Sequence, residues 1–250
     1  SIYYHLKILI KTNIMKVSVI IPVRNEELLL KKIIEQLENR LKDIIYEIVF
    51  VNDYSNDNTL STLEKLIENK NQFKLCDNKK KGLGGAITEG INNSTGEFIC
   101  IMMSDLSDDI EDFKKYYSLI KNNQIDAVFG SRFVKGSKIS GYPKKKLILN
   151  RIFNIITKLL FISDYNDFTN AFKIYRKKAL LKTFPLVSES FNIFLELPLK
   201  IISRKMKYKI IPISWTNRKE GSSKFDIKEL KSKYLFTLFY CWLEKILLKK

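Results

Sequence analysis

Acids, amides, glycines and arginines recur in short groups along the first half of this chain, each group directly after an apolar run. Pro22-Val23-Arg24-Asn25-Glu26 follows the first run and Asn52-Asp53-Tyr54-Ser55-Asn56-Asp57 the second. Lys81-Gly82-Leu83-Gly84-Gly85 follows the third, Ser104-Asp105-Leu106-Ser107-Asp108-Asp109 the fourth, and Gly130-Ser131-Arg132 the fifth. Carboxylates and amides can bind a nucleoside or a hard cation, glycines allow close backbone approach, and arginines grip phosphate. Taken singly, each group is an ordinary turn or helix cap, and Asp109 in particular is placed to cap the helix that starts near Ile110. Other chemistries are excluded by what the chain lacks. Its one histidine, His5, lies outside any periodic segment, so a Ser-His-Asp triad and a His-ligated zinc site are both ruled out. Cys76, Cys100 and Cys241 are far apart, which argues against zinc ribbons and disulfide frameworks.

The elements between these groups decide whether the groups meet. Val17–Ile21 is a continuous apolar run, the mark of a strand buried on both faces. Leu29, Ile33, Ile34, Leu37 and Leu41 then recur at helical spacing. Strands are expected at 44–51, 73–76, 98–102 and 127–129, with helices from about Asn58, over 86–92 and over 110–119 between them. Such alternation predicts an α/β fold, a mostly parallel Rossmann-like sheet flanked by helices with right-handed crossovers. Ligands bind such sheets beyond the carboxyl ends of the strands, which is where all five polar groups fall. Beyond residue 130 the rhythm breaks. A helix is predicted over 144–161, with Ile148, Ile152, Ile155 and Leu159 apolar and Lys144, Arg151 and Lys158 stacked on another side. Further on, a helix at 191–202, a strand at 208–213 and a last helix from Ile227 are expected.

Charge divides the chain. Of 44 basic and 27 acidic residues in 250, residues 1–130 hold 17 basic and 19 acidic, whereas residues 131–250 hold 27 basic and 8 acidic. Only the second half is therefore expected to meet a polyanionic surface. No segment reads as a membrane-spanning helix or a signal peptide. In the last helix Leu230, Tyr234, Leu238, Cys241 and Trp242 recur at helical spacing, flanked by Lys228, Lys231, Lys233, Lys249 and Lys250. That pattern predicts an amphipathic helix lying at an anionic membrane surface.

The ordered segments PVRNEE, VNDYSNDNT, KGLGGAITEG, MMSDLSDD and GSRF resemble the family 2 glycosyltransferases of the GT-A fold, in particular the dolichol-phosphate mannosyltransferase-like branch. The resemblance runs from about Lys16 to Gly221. It implies a nucleotide-sugar donor (GDP-mannose or a UDP-sugar), Mg²⁺ or Mn²⁺, a polyprenyl-phosphate acceptor, inversion at the anomeric carbon, and work as a peripheral protein on the cytoplasmic face of a membrane, without nucleic acid. It divides the chain into an N-terminal extension (1–15), a glycosyltransferase domain (16–225, its donor half 16–130 and acceptor half 131–225) and a C-terminal helix (226–250).

Residue by residue, the resemblance assigns Pro22, Val23, Asn25, Glu26, Val51, Asp53, Lys81, Gly84, Met103, Ser104, Arg218 and Lys224 to the donor, Asp105 and Ser107 to the metal, and Asp105, Arg132 and Arg151 to catalysis. Asp167 and Thr169 parallel a further family segment. One departure stands out: Met103 occupies the position of the first aspartate in the usual Asp-x-Asp motif, and a thioether does not suit Mg²⁺ or Mn²⁺. A phosphate acceptor is already an anion and needs no general base, which fits the scarcity of acids beyond residue 130. Three other readings are a glycosyltransferase with a hydroxyl acceptor, a catalytically inactive relative, and a basic nucleic-acid binder. The last leaves the acids gathered at the strand ends without a purpose.

Overall fold

The computed structural model describes residues 16–217 and 227–248. They form nine strands and eight α-helices, alternating strictly as far as 131. Strand β1 (Val17–Val23) is buried at all seven positions, as its unbroken apolar run requires. Helix α1 (Leu30–Arg40) turns Leu30, Ile33, Ile34 and Leu37 inward. Then follow β2 (Tyr46–Asn52), α2 (Thr59–Ile67), β3 (Phe73–Asp77), α3 (Leu83–Asn93), β4 (Phe98–Ile101), α4 (Ile110–Asn122) and β5 (Ala127–Ser131). The second half contributes β6 (Lys138–Ser140), α5 (Lys144–Phe161), β7 (Lys173–Arg176), α6 (Lys177–Leu181), α7 (Ile193–Ser203), β8 (Tyr208–Pro212), β9 (Ser214–Thr216) and α8 (Ile227–Leu247).

Seven strands form one sheet in the order β3-β2-β1-β4-β7-β5-β8, parallel except for β7, which runs antiparallel to both neighbours. β6 and β9 pair separately. Two cores result: residues of α1, α2 and α4 pack on one face of the sheet, and residues of α3, α5, α7 and α8 on the other.

A single register row crosses the whole sheet: Lys74, Val49, Ile20, Ile101, Lys173, Phe129 and Ile210 are successive partners. Asp53 and Asp105 each stand four residues beyond this row, and Arg132 three. Because β7 is reversed, the segment before it, 167–172, reaches the same edge. The polar groups thus share one rim; at about 4.8 Å per strand, those of β2 and β4 are about 10 Å apart and those of β2 and β5 about 19 Å.

Two expectations need correction. β7 was not anticipated, and it is central. The first helix of the acceptor half and the C-terminal helix also turn unexpected faces outward. In α5 the buried residues are Asn154, Thr157 and Phe161, whereas Ile148, Leu149, Ile152, Ile155, Ile156 and Leu159 are 47–71% exposed. In α8 Leu238 and Cys241 face the core, and Leu235, Phe236, Phe239, Leu243, Ile246 and Leu247 are exposed. That helix is apolar on both sides rather than amphipathic in the expected sense. Among the described residues no helix is long and apolar enough to cross a membrane.

Candidate active site

Asp53 is the anchor of the β2 end of the rim. It is 6% exposed, and its Oδ1 accepts from Asn78 Nδ2 (2.7 Å) and from the Gly82 amide (2.8 Å). Asn78 Nδ2 also donates to the Gly82 carbonyl (3.0 Å), so the turn before α3 is fastened to the end of β2. On the β1 side, Asn25, at φ 52°, accepts from the Asn56 amide (2.9 Å), and the Glu26 amide donates to Thr59 Oγ1 (2.9 Å). The Lys81 ammonium stands 6.0 Å from the Tyr54 ring centre at the exposed lip. Pro22 and Val23 close the β1 end and are buried. Val51, expected to meet a nucleotide, is fully enclosed in the core, and its side chain offers nothing to a ligand.

The glycine turn has a reason that its sequence conceals. α3 begins at Leu83, earlier than expected, so Gly84 and Gly85 lie in its first turn. A Cβ on Gly84 would sit 1.9 Å from the Ser188 carbonyl oxygen, and one on Gly85 1.9 Å from that of Lys80. Protein backbone therefore excludes side chains here.

The β4 end presents Asp105 and Asp108 around a tight turn in which Leu106 takes φ 57°. Asp105 Oδ1 accepts from the Ser107 amide (3.1 Å), and Asp109 Oδ1 caps α4 through the Glu111 amide (2.9 Å), as its position predicts. Ser104 and Ser107 are buried, and Met103 is half-buried against the core. Asp108 Oδ2 is buried with no hydrogen-bond partner. Burial, and then the charge of Asp105, push the Asp108 carboxyl up to about 7, against the opposing pull of Arg132. An orphaned carboxylate oxygen beside a second carboxylate fits a hard divalent cation. Among the described residues no group of three or more His, Cys, Asp or Glu side chains could hold such an ion alone, so the donor diphosphate would have to complete its shell.

Across the rim, Arg132 was expected to grip phosphate, but its fork is occupied. Nε donates to Asp167 Oδ2 (2.9 Å) and Nη2 to Oδ1 (2.7 Å), in a pair whose side chains are 7% and 0% exposed. Burial alone would lower the arginine's pKa; the Asp167 charge and hydrogen bonds outweigh it and hold the group charged. The rings of Phe133, Tyr142 and Trp215 lie 5.4–5.7 Å from its guanidinium. Arg151, on α5, stacks on the same Phe133, 4.3 Å from its ring centre, and its Nη1 is buried without a hydrogen-bond partner. Asn150 donates to Thr169 Oγ1 (2.6 Å), and Asn154 accepts from the Phe168 amide (2.6 Å). Those bonds explain why α5 turns its polar side inward: it is tied to the segment before β7.

Lys173 escaped the sequence reading, since a lysine in a four-residue strand carries no signal. It is 1% exposed, donates to the carbonyls of Phe168 (3.3 Å), Asn170 and Phe194 (3.5 Å), and is brought down to about 7 by burial. Arg218 and Lys224 lie outside the described residues, as does the 1–15 extension.

The rim thus carries Asp53, Asp105 and Asp108 at one end, and at the other the Arg132–Asp167 pair with Arg151, whose Nη1 is buried and unbonded, beside it. Comparison with known proteins gives the family. Residues 18–184 match the family described as glycosyl transferase family 2. A dolichol-phosphate mannosyltransferase of Pyrococcus furiosus is 30% identical over 224 residues, covering 89% of this chain and 61% of that protein. A dolichyl-phosphate beta-glucosyltransferase of Dictyostelium discoideum is 26% identical over 218 residues, covering 80% of this chain and 66% of that protein. The chain therefore spans under two thirds of the length of these relatives. Among solved structures, glucosyl-3-phosphoglycerate synthase from Mycobacterium tuberculosis, in complex with Mn²⁺, UDP and phosphoglyceric acid, superposes with a TM-score of 0.69 at 14% identity, over 91% of this chain and 78% of that one. That likeness shows the fold.

Proposed function

The chain belongs to glycosyl transferase family 2, and from that membership we propose that it transfers a sugar, with inversion, from a nucleotide-sugar to a polyprenyl phosphate held at an anionic membrane surface. One observation carries the acceptor assignment. A single helix, α5, turns a row of isoleucines and leucines to the outside and a buried, unpartnered arginine nitrogen to the inside. An acceptor with an apolar tail and an anionic head fits both at once. α8 packs on α5 and also carries exposed apolar residues.

In this reading the rim from Asp53 to Asp105 seats the nucleotide, with Pro22, Val23, Asn25, Glu26 and Lys81 around it. Asp105 and Asp108 would hold Mg²⁺ or Mn²⁺, with Ser107 beside them in the same turn. A bound divalent cation would offset the negative charge that develops on the leaving diphosphate. Arg151 receives and orients the acceptor phosphate, whose own charge makes it the nucleophile without a general base. Arg132, locked on Asp167, fixes the segment that carries Thr169. In-line attack on the anomeric carbon, from the Arg151 side toward the Asp105 side, would invert its configuration.

The test is transfer of a radiolabelled sugar from GDP-mannose, UDP-glucose and related donors with Mn²⁺, offering detergent-dispersed polyprenyl phosphate against the matching polyprenol. The expected product is an organic-soluble, phosphate-linked sugar formed only with the phosphorylated lipid. Label transferred only to hydroxyl acceptors would overturn the acceptor assignment.

A further inference from the structure

A second loop, 185–192, stands between the donor turn and the C-terminal helix, and its backbone does most of the work of holding them. The Gly84 amide donates to the Glu189 carbonyl (3.1 Å), and the Ser188 carbonyl fills the space where a Gly84 side chain would be. The Lys80 ammonium pairs with the Glu189 carboxylate at 2.7 Å. The loop is held in turn by Glu196 of α7. That carboxylate is fully buried and accepts from the Val187 amide (2.9 Å to Oε1) and from the Ser188 amide (2.8 Å to Oε2). Lys200, 1% exposed, balances its charge at 2.9 Å and also donates to the Pro185 carbonyl. From the other side Thr237 of α8 accepts from Asn192 Nδ2 (2.8 Å) and shares a hydrogen with Ser188 Oγ (3.5 Å). Tyr234 reaches the Phe191 carbonyl (3.0 Å).

A buried carboxylate that takes two consecutive backbone amides fixes the loop's path far more firmly than turn chemistry would. The contacts at 188–189 lead toward the donor: the Glu189 carbonyl accepts from Gly84 and abuts Gly82, and the Gly82 amide is bonded to Asp53. We infer that Glu196, through the Val187 and Ser188 amides, and Thr237, through the Ser188 and Asn192 side chains, are positioning residues for the nucleotide, acting through the 185–192 loop on the turn that shapes the Asp53 end of the site. The inference rests on the donor assignment above. Neither side chain takes part in the acceptor end, where Arg151 and the 167–172 segment are held by α5.

The test uses calorimetric binding of UDP and of GDP, each with Mn²⁺, to the full chain. Thr237→Val keeps the shape and the Glu196–Lys200 pair but removes the hydroxyl; losing its hydrogen bonds should weaken nucleotide binding about 3- to 10-fold. Thr237→Ser should restore binding to near the wild-type value. Glu196→Gln should weaken it more, and Gly84→Ala combined with Thr237→Val should cost less than the two changes separately, since both act on the position of Ser188, one through its carbonyl and the other through its hydroxyl. In transfer assays the donor KM should rise while the polyprenyl-phosphate KM stays unchanged. Folded Thr237→Val protein that binds nucleotide like wild type, or whose donor and acceptor KM rise together, overturns the inference. Should Glu196→Gln fail to fold, the Thr237 pair of variants decides. Wild-type protein that binds neither nucleotide would overturn the donor assignment itself.

Discussion

Replacing Phe236 and Phe239 together by serine should detach the protein from anionic membranes while leaving its fold intact. The two rings are 60% and 58% exposed on the outer side of α8. Full burial of such a side chain is worth about 1.5–3 kcal/mol, so the exposed fraction offers about 1–2 kcal/mol per ring to a lipid interface. Together they supply about 2–4 kcal/mol, which lowers the partition coefficient about 30- to 1,000-fold. Each ring touches a neighbour on its own helix, Phe236 on Tyr240 (6.3 Å between centres) and Phe239 on Trp242 (5.9 Å), and neither is in the core. Outward substitutions of this kind change stability by about 0.5 kcal/mol or less each. The assay is co-flotation with phosphatidylserine-containing vesicles, alongside urea unfolding. Leu238→Ala, on the inner side of the same helix and 7% exposed, supplies the contrast: about 2–5 kcal/mol of stability lost, with vesicle partitioning of the folded fraction retained. A double serine variant that floats like wild type would refute the reasoning. So would one that loses several kcal/mol of stability, because its rings would then be packed rather than exposed.

Arg132→Ala should cost about 3–5 kcal/mol in urea unfolding, because it strands the fully buried Asp167, and Arg132→Lys should recover only part of it since an ammonium cannot reproduce the fork. Asp109→Ala should cost about 1 kcal/mol of stability through the lost α4 cap and leave Mn²⁺ affinity unchanged, whereas Asp105→Ala should abolish the metal-dependent part of nucleotide binding. Glu47 sets an acid limit. Burial would raise its pKa, but hydrogen bonds from Lys16, Ser18, the Thr95 amide and Lys74 outweigh that and hold it well below its ordinary value of 4.5. Its folded pKa being depressed, the stabilisation is fully present above about pH 4.5 and is lost as the pH falls below it, and Glu47→Gln should flatten that part of the stability–pH curve measured by thermal unfolding.

The rim was legible because a parallel sheet sends every strand's following loop to one edge, and apolar runs mark strands well; five polar groups at five strand ends then had to converge. Asp109 as a cap was legible for the same local reason. What the letters hid is non-local. Asp167 pairs with Arg132 across 35 residues, and nothing near either one marks the partner. β7 is four residues long, bounded by Lys173 and Arg176, and reads as neither helix nor strand until β4 and β5 flank it. Gly84 is small because of a carbonyl about a hundred residues later in the chain. The period of α5 was plain, but which side faces in depends on Asn150 and Asn154 finding partners before β7. The same was true of α8: its expected lipid-facing residues Leu238 and Cys241 turned out to be core.

The central claim, a nucleotide-sugar site built on Asp53 and Asp105 at one rim, is tested most directly by calorimetry of nucleoside diphosphates with the wild-type chain, with and without Mn²⁺. The account predicts saturable binding of one nucleotide at one site per chain, strengthened by Mn²⁺ and lost in Asp53→Ala. Binding that ignores both the metal and Asp53, or no binding of any nucleoside diphosphate, would contradict it.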